Sequence, residues 1–301
     1  MPGPTNTFSV IVPTYNRLDQ LRKALEGLFA QQYPVKEIIV VNDGSTDGTG
    51  EYLSQLHAQG KILHVQQSNQ GPARARNLGL SLASGDLIAF TDDDCIPPPD
   101  WLLRYSKRFD ERPELAGAGG PCRTGDPSNS YAEANDMMAN VFKESLNGNS
   151  VPAMPFLTSN NSAYRKKALE RAGGFDPRFR VGAEERDLNH RLAQAGEKLE
   201  YDPSIVMDHY HRAKGFRFLK HQFTLGKGSF LYYAAAKKRT GERPPMIPAG
   251  VYRKLFAYPF HHKSFLQACK LCLLIILAQA AITIGYAYEF LFGSLERRRQ
   301  E

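Results

Sequence analysis

Three consecutive aspartates, Asp92 to Asp94, are the residues of this 301-residue sequence most suited to chemistry. They follow the apolar run Leu87 to Phe90, which predicts a short buried strand. Adjacent carboxylates repel one another unless water or a cation screens their charge. Two interpretations are open from these residues alone. One is a site for a hard divalent cation, which in turn favours a diphosphate, and the other is a solvated acidic turn before a helix.

The aspartates end one of several predicted strands that alternate with helices. Phe8 to Val12 and Glu37 to Val41 are β-branched runs typical of buried strands, and Lys61 to Gln66 predicts a further strand. Helices are predicted between them at Leu18 to Phe29, at Thr49 to Gln59 and from Pro72 onward. This alternation predicts an α/β fold, a Rossmann-like and mostly parallel sheet with helices on both faces.

Ligands of such folds bind at the carboxyl ends of the strands. The segment Pro13 to Asn16, the acid Asp43 and the three aspartates all fall at those ends. Their convergence predicts a ligand site at this edge of the sheet. A nicotinamide-binding domain would need a Gly-x-Gly-x-x-Gly turn directly after the first strand, and Pro13 to Arg17 stands there instead, which excludes a dehydrogenase.

The chain is less regular after Trp101. Strands are predicted within Ala116 to Arg123 and within Leu199 to Met207, and helices at Ser130 to Glu144, Glu185 to Ala195 and Phe216 to Lys238. Residues rich in Asn, Gly, Ser and Pro predict a loop over Asn147 to Pro155, and three prolines predict a linker over Arg239 to Gly250.

Composition and charge narrow the class of protein. A hydrophobic content of 42% and a charged content of 23% are ordinary for a globular chain and exclude extensive disorder. Four cysteines in this length exclude a disulfide scaffold. From Ile205 onward the chain has 16 Lys and Arg against 5 Asp and Glu, whereas the part before it is mildly acidic. This distribution argues against a nucleic-acid groove and favours a body held at an anionic surface by its tail.

An apolar segment runs from Leu271 to Phe292 and is long enough to cross a bilayer, which takes about 20 residues. Basic residues lie on both sides of it, whereas the positive-inside tendency places them on one side. We therefore expect a helix lying in or dipping into the cytoplasmic leaflet; a buried core helix or a dimer helix is the alternative. The first apolar run, Phe8 to Val12, is too short for a signal peptide, so we expect a cytoplasmic, reducing location.

Seven motifs, in this order, make the chain resemble the family 2 glycosyltransferases, which are inverting enzymes with the GT-A fold. The motifs are Val12 to Arg17, Val41 to Asp47, Ala75 to Gly79, Asp92 to Asp94, Asn161 to Arg165, Gly173 to Asp176 and Glu184 to Leu188. The resemblance extends from Phe8 to about Lys227. It implies a donor that is a nucleotide-diphosphate sugar, with a UDP-sugar favoured, and a bound Mn²⁺ or Mg²⁺.

The resemblance also implies roles for individual residues. Thr14 and Tyr15 would line the nucleobase, and Asp43 would accept a hydrogen bond from the base or the ribose. Asp94 and Asp92 would hold the metal, and His209 would be a further metal ligand or one of two surface histidines. The other residues expected around the nucleotide are Pro13, Asn16, Gly71, Arg76, Asn77 and Asp93. Asn161 and Arg165 would lie on the acceptor side.

The resemblance places the general base, which takes the proton of the acceptor hydroxyl, at a helix start. The family usually has Glu-Asp there, and this sequence has Glu184-Glu185, so Glu185 stands in the base position with a longer side chain. Glu184 and Asp187 are the alternatives. The same acids could instead have only a favourable interaction with the helix dipole.

The sequence therefore predicts a hexosyltransferase of cell-surface glycan or polysaccharide synthesis, acting on a glycan or lipid-linked acceptor. Its catalytic domain would span residues 1–238, with a nucleotide-binding half up to about residue 100 and an acceptor-binding half after it. Residues 239–301 would form the linker and a membrane-associated or dimerisation helix. The alternatives are a sugar nucleotidyltransferase, or a module that binds nucleotide sugars without turnover.

Overall fold

The structure is a computed structural model that describes residues 6–147, 156–180, 182–212 and 214–298. Its strands are β1 (Phe8–Thr14), β2 (Val35–Asn42), β3 (Leu63–Gln66), β4 (Leu87–Phe90), β5 (Cys95–Ile96), β6 (Leu115–Gly119), β7 (Cys122–Thr124), β8 (Ser162–Arg165), β9 (Lys198–Tyr201) and β10 (Met207–His209). Its helices are α1 (Leu18–Phe29), α2 (Thr49–Ala58), α3 (Pro72–Leu82), α4 (Trp101–Glu111), α5 (Ser130–Asn147), α6 (Lys166–Arg171), α7 (Glu184–Gln194), α8 (Phe216–Thr240), α9 (Ala249–His262) and α10 (Phe265–Arg298).

Within the described residues, one sheet has the strand order β3-β2-β1-β4-β8-β6-β9. The strands from β1 to β4 pair in parallel, as the alternation of strands and helices predicts. Strand β8 enters antiparallel between β4 and β6, so the sheet is mixed at its centre. The predicted α/β class with a mostly parallel sheet is confirmed.

The central strands are buried on both faces, which explains their continuous Val and Ile runs. Helix α3 approaches β1 closely because it carries Gly79 there; a Cβ at this position would lie 2.6 Å from Ile11 Cγ2. Helix α3 begins at Pro72, as predicted, directly after Gly71 in a left-handed conformation with φ of +89°. This packing fixes the start of α3 beside the carboxyl edge of the sheet.

A second sheet, in the order β5-β10-β7, lies beyond the aspartates. Strand β10 pairs antiparallel with β5, which follows the aspartates, and parallel with β7. The single strand predicted over Ala116 to Arg123 is two strands, β6 and β7, because Gly120 and Pro121 interrupt it. The loop predicted over Asn147 to Pro155 lies largely outside the described residues.

Helices α8, α9 and α10 follow the sheets. Helix α9 occupies part of the segment for which the sequence predicted a linker and one helix, and the irregular stretch is confined to residues 241–248. Helices α8 and α10 pack backbone to backbone through Gly226 and Gly285. A Cβ on either glycine would lie 2.0 Å from a carbonyl oxygen of the other helix, Ile282 O or Phe223 O. These two helices therefore form one rigid pair.

Candidate active site

A cleft of about 690 Å³ opens at the carboxyl edge of the main sheet. Most of the residues predicted from the sequence line it, although they come from widely separated segments. These residues are Pro13, Thr14, Tyr15, Asp43, Arg76, Asp92, Asp93, Asp94, Glu184, Glu185 and His209. Strands β1, β2 and β4 end together here because they are parallel and in register, Thr14 opposite Asn42 and Ile11 opposite Phe90.

The three aspartates have three different partners. Asp92 accepts a hydrogen bond from Arg76 Nη2 at 2.7 Å. Asp93 accepts from Thr14 Oγ1 at 2.8 Å and from Arg17 Nη1 at 3.0 Å. Asp94 accepts from the same Arg17 nitrogen at 2.8 Å. The guanidinium of Arg17 therefore screens the two buried carboxylates, which would otherwise repel each other.

Burial raises the pKa of Asp93 to about 7, with the neighbouring charge of Asp94 adding to the effect and Arg17 opposing it. Burial also opposes ionisation of Asp94, but His209 and Arg17 outweigh it and hold the pKa of Asp94 below its usual range. Asp94 is therefore the ionised member of the adjacent pair.

Asp94 and His209 are a donor set that fits a divalent cation. Oδ1 of Asp94 lies 3.5 Å from Nε2 of His209, both side chains are buried, and both face the cleft. Asp136 Oδ1 lies 2.7 Å from the other ring nitrogen of His209, an arrangement that orients a metal-binding imidazole. Cys95 Sγ is within 4.8 Å of these ligand atoms, but burial raises the pKa of its thiol well above the usual value, and Mn²⁺ or Mg²⁺ prefers oxygen.

Asp43 ties down the segment that leads into α3. Its Oδ1 accepts from Gln67 Nε2 at 2.6 Å and from the Gln70 N–H at 2.8 Å, and its Oδ2 accepts from the Gly71 N–H at 2.9 Å. A carboxylate has about four acceptor positions, so Asp43 retains capacity for a ligand in the cleft. Asp43 therefore connects the loop after β2 to the loop before α3.

Tyr15 lies at the rim of the cleft with 46% of its side chain exposed, where its ring face is available for stacking. Asn16, Gly71 and Asn77 do not line the cleft but shape its wall. Asn16 has φ of +53° and accepts from the Thr46 N–H at 2.7 Å. Asn77 exchanges hydrogen bonds with the backbone of Phe175 at 2.7 and 2.8 Å, which is a structural role rather than the predicted nucleotide contact.

Helix α7 presents the two predicted glutamates to the cleft from the opposite wall. Glu184 is buried and accepts from Arg76 Nη1 at 2.9 Å, while Glu185 accepts from Ser159 Oγ at 2.8 Å and is less buried. Ala183, directly before them, has φ of +71°, a strained conformation of the kind that recurs at functional sites. Burial and the neighbouring Glu185 raise the pKa of Glu184 to about 8.

The structure contradicts a catalytic role for Asp187. Its side chain is fully buried, and its two oxygens accept from Arg191 at 2.7 Å and from Arg239 at 2.5 Å. These bonds fasten α7 to α8 and leave the carboxylate without access to the cleft. Asp187 is therefore a structural residue.

The two residues predicted on the acceptor side are also structural. Asn161 is completely buried; its Oδ1 accepts from Trp101 and Tyr105, and its Nδ2 donates to the carbonyls of Pro121 and Ile205. All of its hydrogen-bonding capacity is thus used inside the protein. Arg165 pairs with Leu87 at the start of β4, which is the opposite edge of the sheet, and donates to the Leu115 and Phe109 carbonyls.

Four residues at the site had no role predicted from the sequence: Arg17, Asp136 and Arg186 line the cleft, and Ser159 donates to Glu185. Arg17 stood within a recognised motif without a role. Asp136 lies in α5, a segment without motifs, and only the fold brings it to His209. Arg186 lies within the motif Glu184 to Leu188 and, like Arg17, was given no role; its guanidinium lies 4.4 Å above the Tyr232 ring on α8.

The model of glycosyl transferase family 2 matches residues 9–173, more than half of the chain. This chain belongs to glycosyl transferase family 2. Within the family, the glycosyltransferase AglE of Haloferax volcanii is 31% identical over 231 residues, which are 73% of this chain and 72% of AglE. The glycosyltransferase GlyA of Streptococcus pneumoniae serotype 4 is 43% identical over 96 residues, covering 32% of this chain and 13% of GlyA.

Solved structures share the fold of this family 2 chain. The mannosyltransferase PcManGT of Pyrobaculum calidifontis, in complex with GDP-Man and Mn²⁺, has a TM-score of 0.64 at 22% identity and covers 97% of this chain and 90% of that one. Residues 1–349 of TarS from S. aureus, in complex with UDP-GlcNAc, have a TM-score of 0.57 at 17% identity, with coverages of 95% and 92%. The predicted family and GT-A fold are confirmed, and the protein is a glycosyltransferase.

Proposed function

We propose that this glycosyltransferase is an inverting, divalent-metal-dependent hexosyltransferase that uses a nucleotide-diphosphate sugar and transfers the sugar to a hydroxyl of a glycan or lipid-linked acceptor. One observation carries the proposal. Asp94 and His209, which fit a metal, and Glu185, which fits a base, come from separate parts of the chain and line one cleft. GDP-Man and UDP-GlcNAc are bound by neighbours of the same fold, which supports a donor of this class.

The nucleoside would lie against β1 and β2. Tyr15 would stack on the base from the rim, and Asp43 would accept a hydrogen bond from the base or the ribose. Asp92, 31% exposed and oriented by Arg76, faces the same space and would contact the ribose. With these contacts, the residues up to about 100 would form the nucleotide-binding half.

Asp94 and the Nε2 atom of His209 would hold Mn²⁺ or Mg²⁺, and Asp136 would orient the imidazole. When bound, the ion neutralises negative charge on the leaving diphosphate. Arg17 lies between Asp93 and Asp94 and offers a second positive charge at the same place. Charge stabilisation of this kind is a large part of the catalysis of group transfer.

Glu185 would be the general base. It removes the proton from the acceptor hydroxyl as that oxygen bonds to the anomeric carbon and the bond from carbon to the diphosphate oxygen breaks. One displacement inverts the anomeric configuration. Ser159 donates to Oε1 of Glu185 and fixes the carboxylate. Glu184 is buried against Arg76, which makes it an orienting residue rather than the base.

The C-terminal part would hold the enzyme at the inner face of a membrane. Among the described residues, one helix is long and apolar enough to cross a bilayer, Phe265–Gly293 with a mean hydropathy of 2.0. The basic tail is a second argument for an anionic surface.

The proposed function is tested by nucleotide release from a panel of UDP-, GDP- and dTDP-sugars, with and without Mn²⁺. We expect release from one class of donor, with the metal, and a product of inverted anomeric configuration. Tight binding of a nucleotide sugar without release, in the presence of acceptor extracts, would instead indicate a non-catalytic binding module. A retained configuration would contradict single displacement.

A further inference from the structure

The cleft is longer than a donor and a base require. The part that lies away from the proposed metal site has a mainly apolar lining. Helix α5 shows the change along one face. Asp136 lies at the proposed metal site, and Leu146, ten residues further along the helix, also lines the cleft. Ten residues of helix correspond to about 15 Å. The cleft therefore extends well beyond the metal ligands.

Apolar and aromatic side chains line this far part, which we call the apolar channel. It is formed by Phe142, Leu146, Ile247, Tyr252 and Ile282, and the rings of Phe142 and Tyr252 are in edge contact. They come from α5, α10, the start of α9 and the residues before it, so the fold assembles the channel from distant segments. An apolar channel that opens onto a polar reaction centre matches a ligand with a polar head and an apolar chain.

The helix that closes the channel is apolar on its outer side as well. Helix α10 turns Gln279 and Ile282 toward the cleft, and Glu289 pairs with Lys227 of α8 at 3.3 Å. Between Leu273 and Phe292, its exposed side chains are uncharged. Those exposed residues are Leu273, Ile276, Leu277, Ala280, Thr283, Ile284, Tyr286, Ala287, Phe290, Leu291 and Phe292.

The contact between α8 and α10 determines whether α10 can cross a bilayer or only lie in the membrane plane. The two helices are held together by the backbone contacts at Gly226 and Gly285. Helix α8 carries Lys220, Lys227, Lys237 and Lys238, so it is not suited to a lipid interior. A crossing of the bilayer by α10 would draw α8 in with it. The geometry is that of a helix lying in the membrane plane with its outer face in lipid.

We propose that the acceptor is an amphiphile taken from the membrane: its hydroxyl-bearing head lies at Glu185, and its alkyl or isoprenoid chain lies in the apolar channel. This assignment rests on the proposed transferase function and specifies its acceptor. Helix α10 lines the cleft with one side and carries the exposed apolar face on the other, so the channel lies next to the proposed lipid surface. Each methylene buried in the channel would strengthen binding by roughly fourfold.

The first arm of the test measures the channel with dansyl-undecanoic acid, a fluorescent alkyl amphiphile, and the full chain. We expect saturable binding that Ala139→Trp weakens tenfold or more, because Ala139 lines the cleft beside Phe142. The matched control is Ala280→Trp, an exposed alanine on the outer face of α10, which would leave this binding unchanged. Equal binding by wild type and Ala139→Trp would overturn the proposal.

The second arm measures flotation with vesicles of phosphatidylcholine and phosphatidylglycerol. Ile276→Asp combined with Ile284→Asp would abolish flotation, and Ala139→Trp would not. A stable dimer that does not float would show that a second copy covers α10, and it would overturn the membrane source of the acceptor. Calorimetry with UDP and GDP runs alongside. Nucleotide binding without probe binding would defeat this inference alone, whereas no nucleotide binding would defeat the proposed function.

Discussion

Arg76 and Glu184 form a buried ion pair, Nη1 to Oε1 at 2.9 Å, that joins α3 to α7 across the cleft. The other terminal nitrogen of Arg76 holds Asp92 at 2.7 Å. One guanidinium therefore sets the position of the aspartate motif relative to α7, which carries Glu185. Breaking such a pair by removing one partner is strongly destabilising because a buried charge is left uncompensated.

Burial of Glu184 makes the free energy of unfolding depend on pH, and its pairing with Arg76 reduces the effect. The pKa of Glu184 is raised from 4.5 to about 8 in the folded protein, chiefly by burial. Between these values the folded state binds a proton that the unfolded state has lost, so stability falls as pH rises, by at most about 1.4 kcal/mol per pH unit.

The Glu184→Gln variant should lack this contribution. Urea unfolding at pH 5, 6.5 and 8 would show the free energy of unfolding of the wild type falling faster than that of the variant. Above about pH 8 the two curves should run parallel. Identical pH dependence in the two proteins would show that Glu184 titrates normally.

Metal affinity should depend on Asp136, although it is not a ligand. Losing a hydrogen-bonded partner of a metal-binding imidazole typically weakens affinity by about 10- to 100-fold. We therefore expect Asp136→Asn to weaken Mn²⁺ binding by that factor, measured by calorimetry in the presence of nucleoside diphosphate. Cys95→Ala is the control and should bind normally, since its thiol is protonated. Loss of Mn²⁺ affinity in the cysteine variant alone would contradict the Asp94 and His209 site.

Arg17 and the metal should compete for Asp94. The Arg17 guanidinium already neutralises the carboxylate that the cation needs. Arg17→Gln should therefore strengthen Mn²⁺ binding to the nucleotide-free protein, by about tenfold, because a nearby positive charge is removed. Electron paramagnetic resonance measures the concentration of free Mn²⁺ and therefore the affinity of each variant for the ion. The exposed Arg22→Gln on α1 is the control. Weaker binding in Arg17→Gln would show that the arginine supports the metal site.

Asn161→Ala separates the structural role from the predicted acceptor role. Removing the amide takes the Asn161 bond from Trp101, Tyr105 and the Ile205 carbonyl, and each buried unsatisfied group costs about 1–3 kcal/mol. The Pro121 carbonyl keeps its bond from the Met207 N–H. Chemical denaturation should show a loss of several kcal/mol with unchanged donor KM. A fully stable variant with a raised acceptor KM would restore the acceptor role.

Several of the predicted residues that line the cleft lie at the carboxyl ends of parallel strands. Asp43 and Asp92 are examples. The order of the parallel strands determines which edge of the sheet holds their carboxyl ends. Both residues lie at that edge because each follows its strand by a short distance along the chain. Glu185 was identified by its motif, and the fold brings it to the same cleft.

Arg165 was misplaced because the direction of β8 could not be predicted, and Asn161 because its complete burial could not. Asn161 and Arg165 lie on or beside β8, which runs antiparallel, so Arg165 is carried to the far edge of the sheet. The residues of a strand do not by themselves determine whether it runs parallel or antiparallel to its neighbours. Asp136 was missed for a related reason, since its role exists only through the contact of α5 with β10 across the fold.

The Glu185→Gln variant tests whether Glu185 is the base in a cleft that also holds the donor. The amide keeps the size of the side chain but cannot accept the proton. General base catalysis contributes about 10²- to 10⁴-fold, so nucleotide release with acceptor should fall by that factor. Calorimetry should show donor binding unchanged. Glu51→Gln, an exposed position on α2, is the matched control. Full turnover by Glu185→Gln would contradict the account.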